Sequence, residues 1–165
     1  MKAAGALLRK GLRDEFAAQG HSLTGTYEAS VQVQVSDAGN EQRLAMLALA
    51  YGQIVNYGIK PSRIPYGGFG GKGGTSQYIQ GLIRFFRLRG LSEEEAKRAA
   101  FATAKKQKKE GMSTEGSKQY SKTGERQGFL QRMEEATGPA VDTLVLRGFD
   151  DLVGAKFHET KSETV

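Results

Sequence analysis

The chain changes character at residues 51–78, YGQIVNYGIKPSRIPYGGFGGKGGTSQY. Directly before this stretch apolar residues alternate with polar ones, as in strands, and after it they recur at every third or fourth position, as in helices. Between residues 58 and 75, two prolines and a cluster of glycines isolate three large side chains, Ile64, Tyr66 and Phe69. A connection longer than about 12 to 15 residues without regular structure is usually a binding loop or a flexible segment. We therefore expect a long functional loop here.

The residues before this loop predict a helix followed by a small antiparallel sheet. Residues 1–19 form an amphipathic helix in which apolar side chains recur every fourth position, and Gly20 ends it. Residues 31–35 alternate as a strand with its valines toward the core, and residues 36–41 have the composition of a hairpin turn.

The partner strand is expected over residues 42–51, with a helix as the competing interpretation because of its alanines. A third, short extended piece is expected around residues 53–57. The alternation leaves open which side chains of the partner strand face inward: either Leu44 and Met46, or Leu47, Leu49 and Tyr51.

The residues after the loop predict helices. Thr75 or Ser76 is the N-cap of the first, which Gly90 closes. Ser92 and Glu95 have the spacing of a capping box, and the helix that they open carries Phe101 to the core. This helix ends before Gly111 in a basic run: Lys105, Lys106, Lys108 and Lys109.

A second polar excursion follows, and then a last helical pattern. The apolar pattern starts at Phe129, is interrupted or restarted at Gly138 and Pro139, and continues to about Phe157. Residues 158–165 form a polar tail for which disorder is the expectation. The predicted architecture is α+β: an N-terminal helix, a small antiparallel sheet, and two or three helices packed on one face. Residues 1–157 form a single domain with extended loops at about 58–75 and 111–127.

Composition excludes several kinds of site. Without cysteine the chain has no disulfide, no thiolate metal site and no cysteine nucleophile, and neither His21 nor His158 belongs to a pair with metal-ligand spacing. No apolar run approaches the roughly 18 to 20 residues of a membrane span, so we expect a soluble protein with no membrane partner. The formal charge of +6 permits nucleic acid or an acidic protein surface as partner and requires neither.

No motif in the sequence indicates catalysis or a cofactor. A phosphate-binding P-loop around Lys72 would need glycine where Tyr66 stands and serine or threonine where Gly73 stands. The paired acids are explained as exposed or first-turn helix residues, and no serine lies in a nucleophile elbow. We expect no catalytic, cofactor-binding or metal-binding residues. The candidate assembly-loop residues are Ile64, Tyr66, Phe69, Lys72 and Tyr120.

Three stretches together resemble the tail-completion or neck proteins of tailed bacteriophages, which join the tail to the capsid connector. They are HSLTGTYEASVQVQV, YGQIVNYGIKPSRIPY and MSTEGSKQYSKTGERQGFLQRMEEA, which begin at residues 21, 51 and 112. The chain departs from that pattern in the insertion from Gly67 to Gly111, which leaves open which ring of the neck it occupies.

The resemblance implies an α+β fold and no chemistry. It also implies a ring of identical subunits around the DNA channel, with neighbouring connector or adaptor and tail proteins as partners. The protein would be made in the host cytoplasm and located in the virion, where non-specific contact with packaged DNA is possible. Two rival hypotheses remain: a small basic DNA-binding protein that uses Lys105, Lys106, Lys108 and Lys109, and, more weakly, a nucleotide-binding enzyme.

Overall fold

A computed structural model describes residues 1–38, 41–67 and 76–162. The chain divides into two compact units. The first comprises Met1–Ala18, the described residues of Thr24–Leu49, and those from Gly128 onward; the second comprises Gln19–Leu23 and the described residues of Ala50–Gln127. The α+β prediction is confirmed, with an N-terminal helix, a small antiparallel sheet and several helices. The two units are groups of residues that contact one another, and they do not decide whether residues 1–157 fold as one domain. The single domain therefore stays a prediction.

The first helix forms as its apolar spacing predicts. Helix α1 is Lys2–Ala18, and its stripe buries Leu12 and Phe16 while Leu8 is half-buried. Gly20 has a φ of +72°, a left-handed conformation that suits glycine and ends the helix.

An aromatic cluster forms the centre of the first unit. Helix α2, Thr26–Ser30, places Tyr27 against Phe16 with ring centroids 4.3 Å apart in a stacked arrangement. Phe129 meets both rings edge-on, at 5.2 Å from Phe16 and 5.9 Å from Tyr27. Offset-stacked and edge-on pairs are the favoured arrangements of aromatic rings, so this cluster fixes the helices that carry it.

The sheet has two antiparallel strands, β1 (Gln32–Ala38) and β2 (Glu41–Leu47). Val33 pairs with Met46 and Val35 with Leu44, so these four side chains share one face. A Cβ on Gly5 of α1 would lie 2.5 Å from Val33 Cγ1, which places α1 on this face. Of the two alternatives for β2, Leu44 and Met46 is the correct one.

Three predictions around the sheet were wrong. The turn is shorter than residues 36–41, because β1 continues to Ala38 and β2 begins at Glu41. The second strand ends at Leu47, and Tyr51–Tyr57 is a helix, α3, where a strand end and a third extended piece were expected. Tyr51, Ile54 and Val55 have helical spacing. At the end of this helix the backbone N–H of Gly58 donates a hydrogen bond to the carbonyl of Ile54 at 2.8 Å. The prediction of an extended segment here overlooked that spacing.

Helices α4 (Gln77–Leu88) and α5 (Glu93–Glu110) pack together in the second unit. Ser76 caps α4, and Ser92 with Glu95 forms the predicted capping box of α5. Phe101, expected in the core, is only half-buried. The fully buried face of α5 consists of alanines instead, Ala96, Ala100 and Ala104, because small side chains let the helices approach closely.

Helix α6 runs without a break from Phe129 to Ser162, so the predicted interruption at Gly138 and Pro139 was wrong. Pro139 removes one helical N–H donor, but the turn around Glu135 is exposed and water can hydrogen-bond its carbonyl. The tail prediction was also wrong for residues 158–162, which continue the helix. Residues 163–165 lie outside the described residues.

Candidate functional site

The predicted assembly-loop residues fall into four groups, of which Tyr120 is the last. Ile64 is 2% exposed and belongs to the core of the second unit, directly after a 3-10 turn at Pro61–Arg63. Tyr66 is half-buried, and its hydroxyl oxygen is buried with no hydrogen-bond partner among the described residues. Phe69 and Lys72 lie outside the described residues. The side chain of Ile64 therefore could meet a neighbouring subunit only after a rearrangement of this unit.

Tyr120 is the candidate that lies at the surface. It ends a 3-10 helix, Glu115–Tyr120, within the second polar excursion, and its side chain is 59% exposed. The guanidinium of Arg89 lies 5.6 Å from the centroid of the Tyr120 ring and 4.6 Å from that of Phe85. Arg89 thus fixes one face of Tyr120 by a cation–π contact and leaves much of the ring available.

The second polar excursion folds against its own unit. The side-chain nitrogen of Gln19, a buried residue, donates to the carbonyl of Gln127 at 3.0 Å. Gln127 in turn donates to the carbonyl of Met112 at 2.8 Å, and Met112 pairs with Ile59 in an isolated antiparallel bridge. Sequence reasoning treated this excursion as polar and extended, and it missed the distant backbone groups that satisfy it.

The four lysines at the end of α5 are exposed but not equivalent. Lys108 Nζ donates to the carbonyl oxygen of Ile64 at 3.0 Å, so it serves the fold of its own unit. Lys105, Lys106 and Lys109 have no acidic partner within the part of the chain that the structure describes. These three remain available to an anionic partner.

A second basic surface lies in the first unit and was not singled out from the sequence. An open groove of about 560 Å³ runs between α1 and β1. Lys10 pairs with Asp14 at 2.6 Å, and the guanidinium of Arg13 donates to the carbonyl of Glu28 at 2.9 Å. Lys2 and Arg9 also line it. The groove is basic but open, and two of its cations already have partners.

The acidic residues at the start of α5 are paired as is typical of the first turn of a helix. Glu93 pairs with Lys97 at 2.8 Å, and Glu94 with Arg98 at 3.7 Å, each one turn along α5. The side-chain hydrogen bond from Ser92 lowers the pKa of Glu95, as the capping box requires. Across the described residues, no group of three or more histidine or acidic side chains could hold a metal ion.

Among the described helices, α6 carries the most large exposed apolar side chains, and they lie on its second half. The first half packs on α1 and buries Phe129, Met133 and Thr137. Beyond it, large apolar side chains recur at every third or fourth position on one face with exposures from 40 to 75%. We call this face the α6 stripe; it consists of Val145, Leu146, Phe149, Leu152, Val153 and Phe157.

The length of the two helices explains why the stripe is uncovered. With 17 and 34 residues, α1 and α6 are about 26 Å and 51 Å long at 1.5 Å per residue. Helix α1 can therefore cover only half of α6. The sequence predicted the stripe correctly as a helical pattern but not its exposure, because periodicity shows which residues share a face and not what covers that face.

The sheet of the first unit is also open. Its two strands pair only with each other among the described residues, so each has an outer edge with free backbone donors and acceptors. Val35 remains 41% exposed and Leu47 47% exposed. No helix within the described ranges is both long and apolar enough to cross a membrane.

Comparisons of the chain with protein-family models, with curated proteins and with solved structures give no match.

Proposed function

We propose that this chain is a structural, non-enzymatic protein of a tailed bacteriophage particle. It forms a ring of identical subunits at the tail end or the head–tail junction, as tail-completion and neck proteins do, and joins the tail to the capsid connector. The observation that carries the proposal is the sheet of the first unit, which has two strands and two open edges among the described residues. Two of its apolar side chains, Val35 and Leu47, remain 41 and 47% exposed.

Such a sheet favours completion by another copy of the chain. Helix α1 covers one face of the hairpin, but each open edge is a template on which a further strand pairs. If the outer edge of β1 on one copy pairs with the outer edge of β2 on the next, the contact joins different surfaces head to tail. Head-to-tail contacts close into a ring when the rotations between neighbouring copies add up to a full turn, as we propose here, and otherwise form an open filament.

The resemblance to neck proteins supports the location of this ring. HSLTGTYEASVQVQV leads through α2 into β1, and YGQIVNYGIKPSRIPY covers α3 and the turn that follows it. The partners are then other copies of the chain, the connector or adaptor, and tail proteins. Chemistry is not needed for this role, which depends on shape and on contacts between subunits.

Electron micrographs of particles made with and without this chain test the proposal. Loss of the gene is expected to leave heads and tails that do not join, and supplying the intact chain restores complete particles. Complete, infectious particles in the absence of the chain would overturn the proposal.

A pair of neighbouring proline variants tests the sheet edge. In an antiparallel pair the N–H groups of alternate residues point away from the partner strand. One of the two variants, Gln34→Pro or Val35→Pro, therefore keeps the hydrogen bonds within the hairpin and removes an N–H donor from its outer edge. Circular dichroism identifies the variant that stays folded. This folded variant is expected to fail in restoring particles, whereas Glu94→Gln, on an exposed face of α5, is expected to restore them.

One observation favours the DNA-binding alternative. Lys105, Lys106 and Lys109 are exposed cations without an acidic partner in the described chain. Fluorescence anisotropy with duplex DNA at several salt concentrations discriminates the two functions. Micromolar affinity with a steep salt dependence that the triple alanine variant loses would favour DNA binding. Lys97→Ala, at a lysine already paired with Glu93, is the control.

A further inference from the structure

The α6 stripe has a symmetry in its sequence that points to its partner. Leu146 and Leu152 lie three residues before and after Phe149, and Val145 and Val153 lie four before and after it. Residues at these offsets share one face of a helix. Five of the six stripe residues therefore form a pattern that reads the same in both directions along the helix, with Phe149 at its centre. The sixth, Phe157, lies eight residues after the centre, and Val141 stands at the mirror position.

The charges on this face have the complementary symmetry. Asp142 lies seven residues before Phe149 and Lys156 seven residues after it, so both stand two turns from the centre on the same face. The distance between their positions along the helix is about 21 Å at 1.5 Å per residue. Lys156 also pairs with Glu159 at 2.6 Å, but both side chains are exposed and such pairs contribute little.

We infer that the α6 stripe binds the α6 stripe of a second copy of this chain, with the two helices antiparallel and a two-fold axis at Phe149. In this arrangement leucine meets leucine, valine meets valine, and Asp142 of each copy faces Lys156 of the other. A parallel pairing would instead place Asp142 beside Asp142 and Lys156 beside Lys156. Like charges in contact disfavour that arrangement.

Charge also argues against a lipid surface as the occupant. Residues 141–159 contain four acidic side chains, Asp142, Asp150, Asp151 and Glu159, and two basic ones, Arg147 and Lys156. Helices that lie on membranes are usually rich in lysine and arginine on the polar face, where they meet anionic lipid. The excess of acids here would repel such a surface.

This pairing goes beyond the proposed ring and does not depend on it. A two-fold contact uses the same patch on both copies and closes on itself, so it forms a pair in solution whether or not a ring assembles on a particle. It removes from water the exposed apolar side chains around the axis, Leu146, Phe149 and Leu152, which are 61 to 65% exposed.

Sedimentation equilibrium of the full chain over a range of concentrations measures the pairing. The wild-type chain is expected to be a dimer at micromolar concentration. Phe149→Glu places two carboxylates at the axis and is expected to raise the dimer Kd at least about thirtyfold, as for a central hot-spot residue. Arg147→Glu, on the opposite face of the same helix, is the matched control and is expected to leave Kd unchanged. Circular dichroism checks that each variant keeps its helix.

A charge exchange tests the antiparallel register. Asp142→Lys alone and Lys156→Asp alone each create two like-charge contacts and are expected to raise Kd about tenfold. The double variant restores opposite charges across the axis and is expected to return Kd to near the wild-type value. Glu159→Gln controls for the loss of the pair within the helix.

Three results would overturn the inference: a wild-type chain that stays monomeric at about 100 µM, well above a micromolar Kd; a dimer insensitive to Phe149→Glu; and a double variant no better than either single one. Binding of the monomer to vesicles of anionic phospholipid, lost in Phe149→Glu, would assign the stripe to a membrane surface instead. Failure of the particle experiment above would leave these results untouched, because they concern the pair in solution.

Discussion

The ring nitrogen Nε2 of His21 lies 3.1 Å from the carbonyl oxygen of Arg126, and the guanidinium of Arg126 donates to the carbonyl of Gly20 at the same distance. These two contacts tie the short segment Gln19–Leu23 to the end of the second polar excursion within one unit. Burial, and secondly the positive charge of Arg126, lower the pKa of His21 to about 4. The neutral ring donates its Nε2–H to the carbonyl.

Stability is therefore expected to depend on pH through His21. Its pKa in the folded state, about 4, is below its ordinary value of 6.5, so the unfolded state binds more protons between these values. The contribution is complete above pH 6.5 and decreases as the pH falls toward 4. Between pH 7.5 and pH 4.5 the free energy of unfolding should fall by about 2 kcal/mol because of this group. A pKa shift of one unit corresponds to about 1.36 kcal/mol, and the expected fall is smaller than the full shift would give because the ring is partly exposed.

Urea unfolding of the wild-type chain and of His21→Gln at the two pH values measures this contribution. The drop in stability should be smaller in His21→Gln by that amount, since glutamine does not titrate. His158→Gln, at the exposed histidine of α6, is expected to retain the full drop. Equal pH dependence in wild type and His21→Gln would contradict the assignment.

The contact of α1 with α6 depends on Gly11. A Cβ at this position would lie 2.5 Å from Thr137 Cγ2, so Gly11→Ala should force the helices apart and lower the free energy of unfolding by about 1 to 3 kcal/mol. Gly81→Ala in α4 is the matched control, because a Cβ there has open space. It should raise stability by up to about 1 kcal/mol through helix propensity. Thermal unfolding measures both variants, and the same glycine-to-alanine change is expected to lower stability at Gly11 and to raise it at Gly81.

Ile64 and Ile54 form a pair of identical residues with different burial. Ile64 is buried, so Ile64→Ala should lower the free energy of unfolding by about 2 to 5 kcal/mol through lost burial and a cavity. Ile54 is 50% exposed, and Ile54→Ala should cost less than about 1 kcal/mol. Chemical denaturation measures both. Equal and small losses would place Ile64 outside the core and return it to the set of docking residues.

Lys108 and Lys109 are neighbours with separate roles. Lys108→Ala removes the hydrogen bond to the carbonyl of Ile64 and should lower the free energy of unfolding by about 1 to 2 kcal/mol. Lys109→Ala should leave stability within about 0.5 kcal/mol, as for an exposed surface residue. If DNA binding is detected, Lys109→Ala should weaken it without loss of stability. A destabilised Lys109→Ala would contradict this division.

Local patterns predicted the elements whose hydrogen bonds join near neighbours in sequence. Leu8, Leu12 and Phe16 located α1, and Ser92 with Glu95 marked the start of α5. Local patterns failed over residues 51–57, where the same apolar residues fit a strand or a helix and the chain forms a helix. They failed again at Pro139, where the exposure of the surrounding turn allows the helix to continue.

The sequence by itself determined the α+β composition, the helix caps and the apolar face of α6, because each depends on residues within about one or two turns of one another. Only the tertiary structure decided that Gln19 and Gln127, 108 residues apart, meet, that Ile64 is buried, and that the α6 stripe is exposed. These outcomes depend on which distant groups come into contact. Which distant groups come into contact depends on the burial and hydrogen bonding of the whole chain, and the local spacing of apolar residues does not show it.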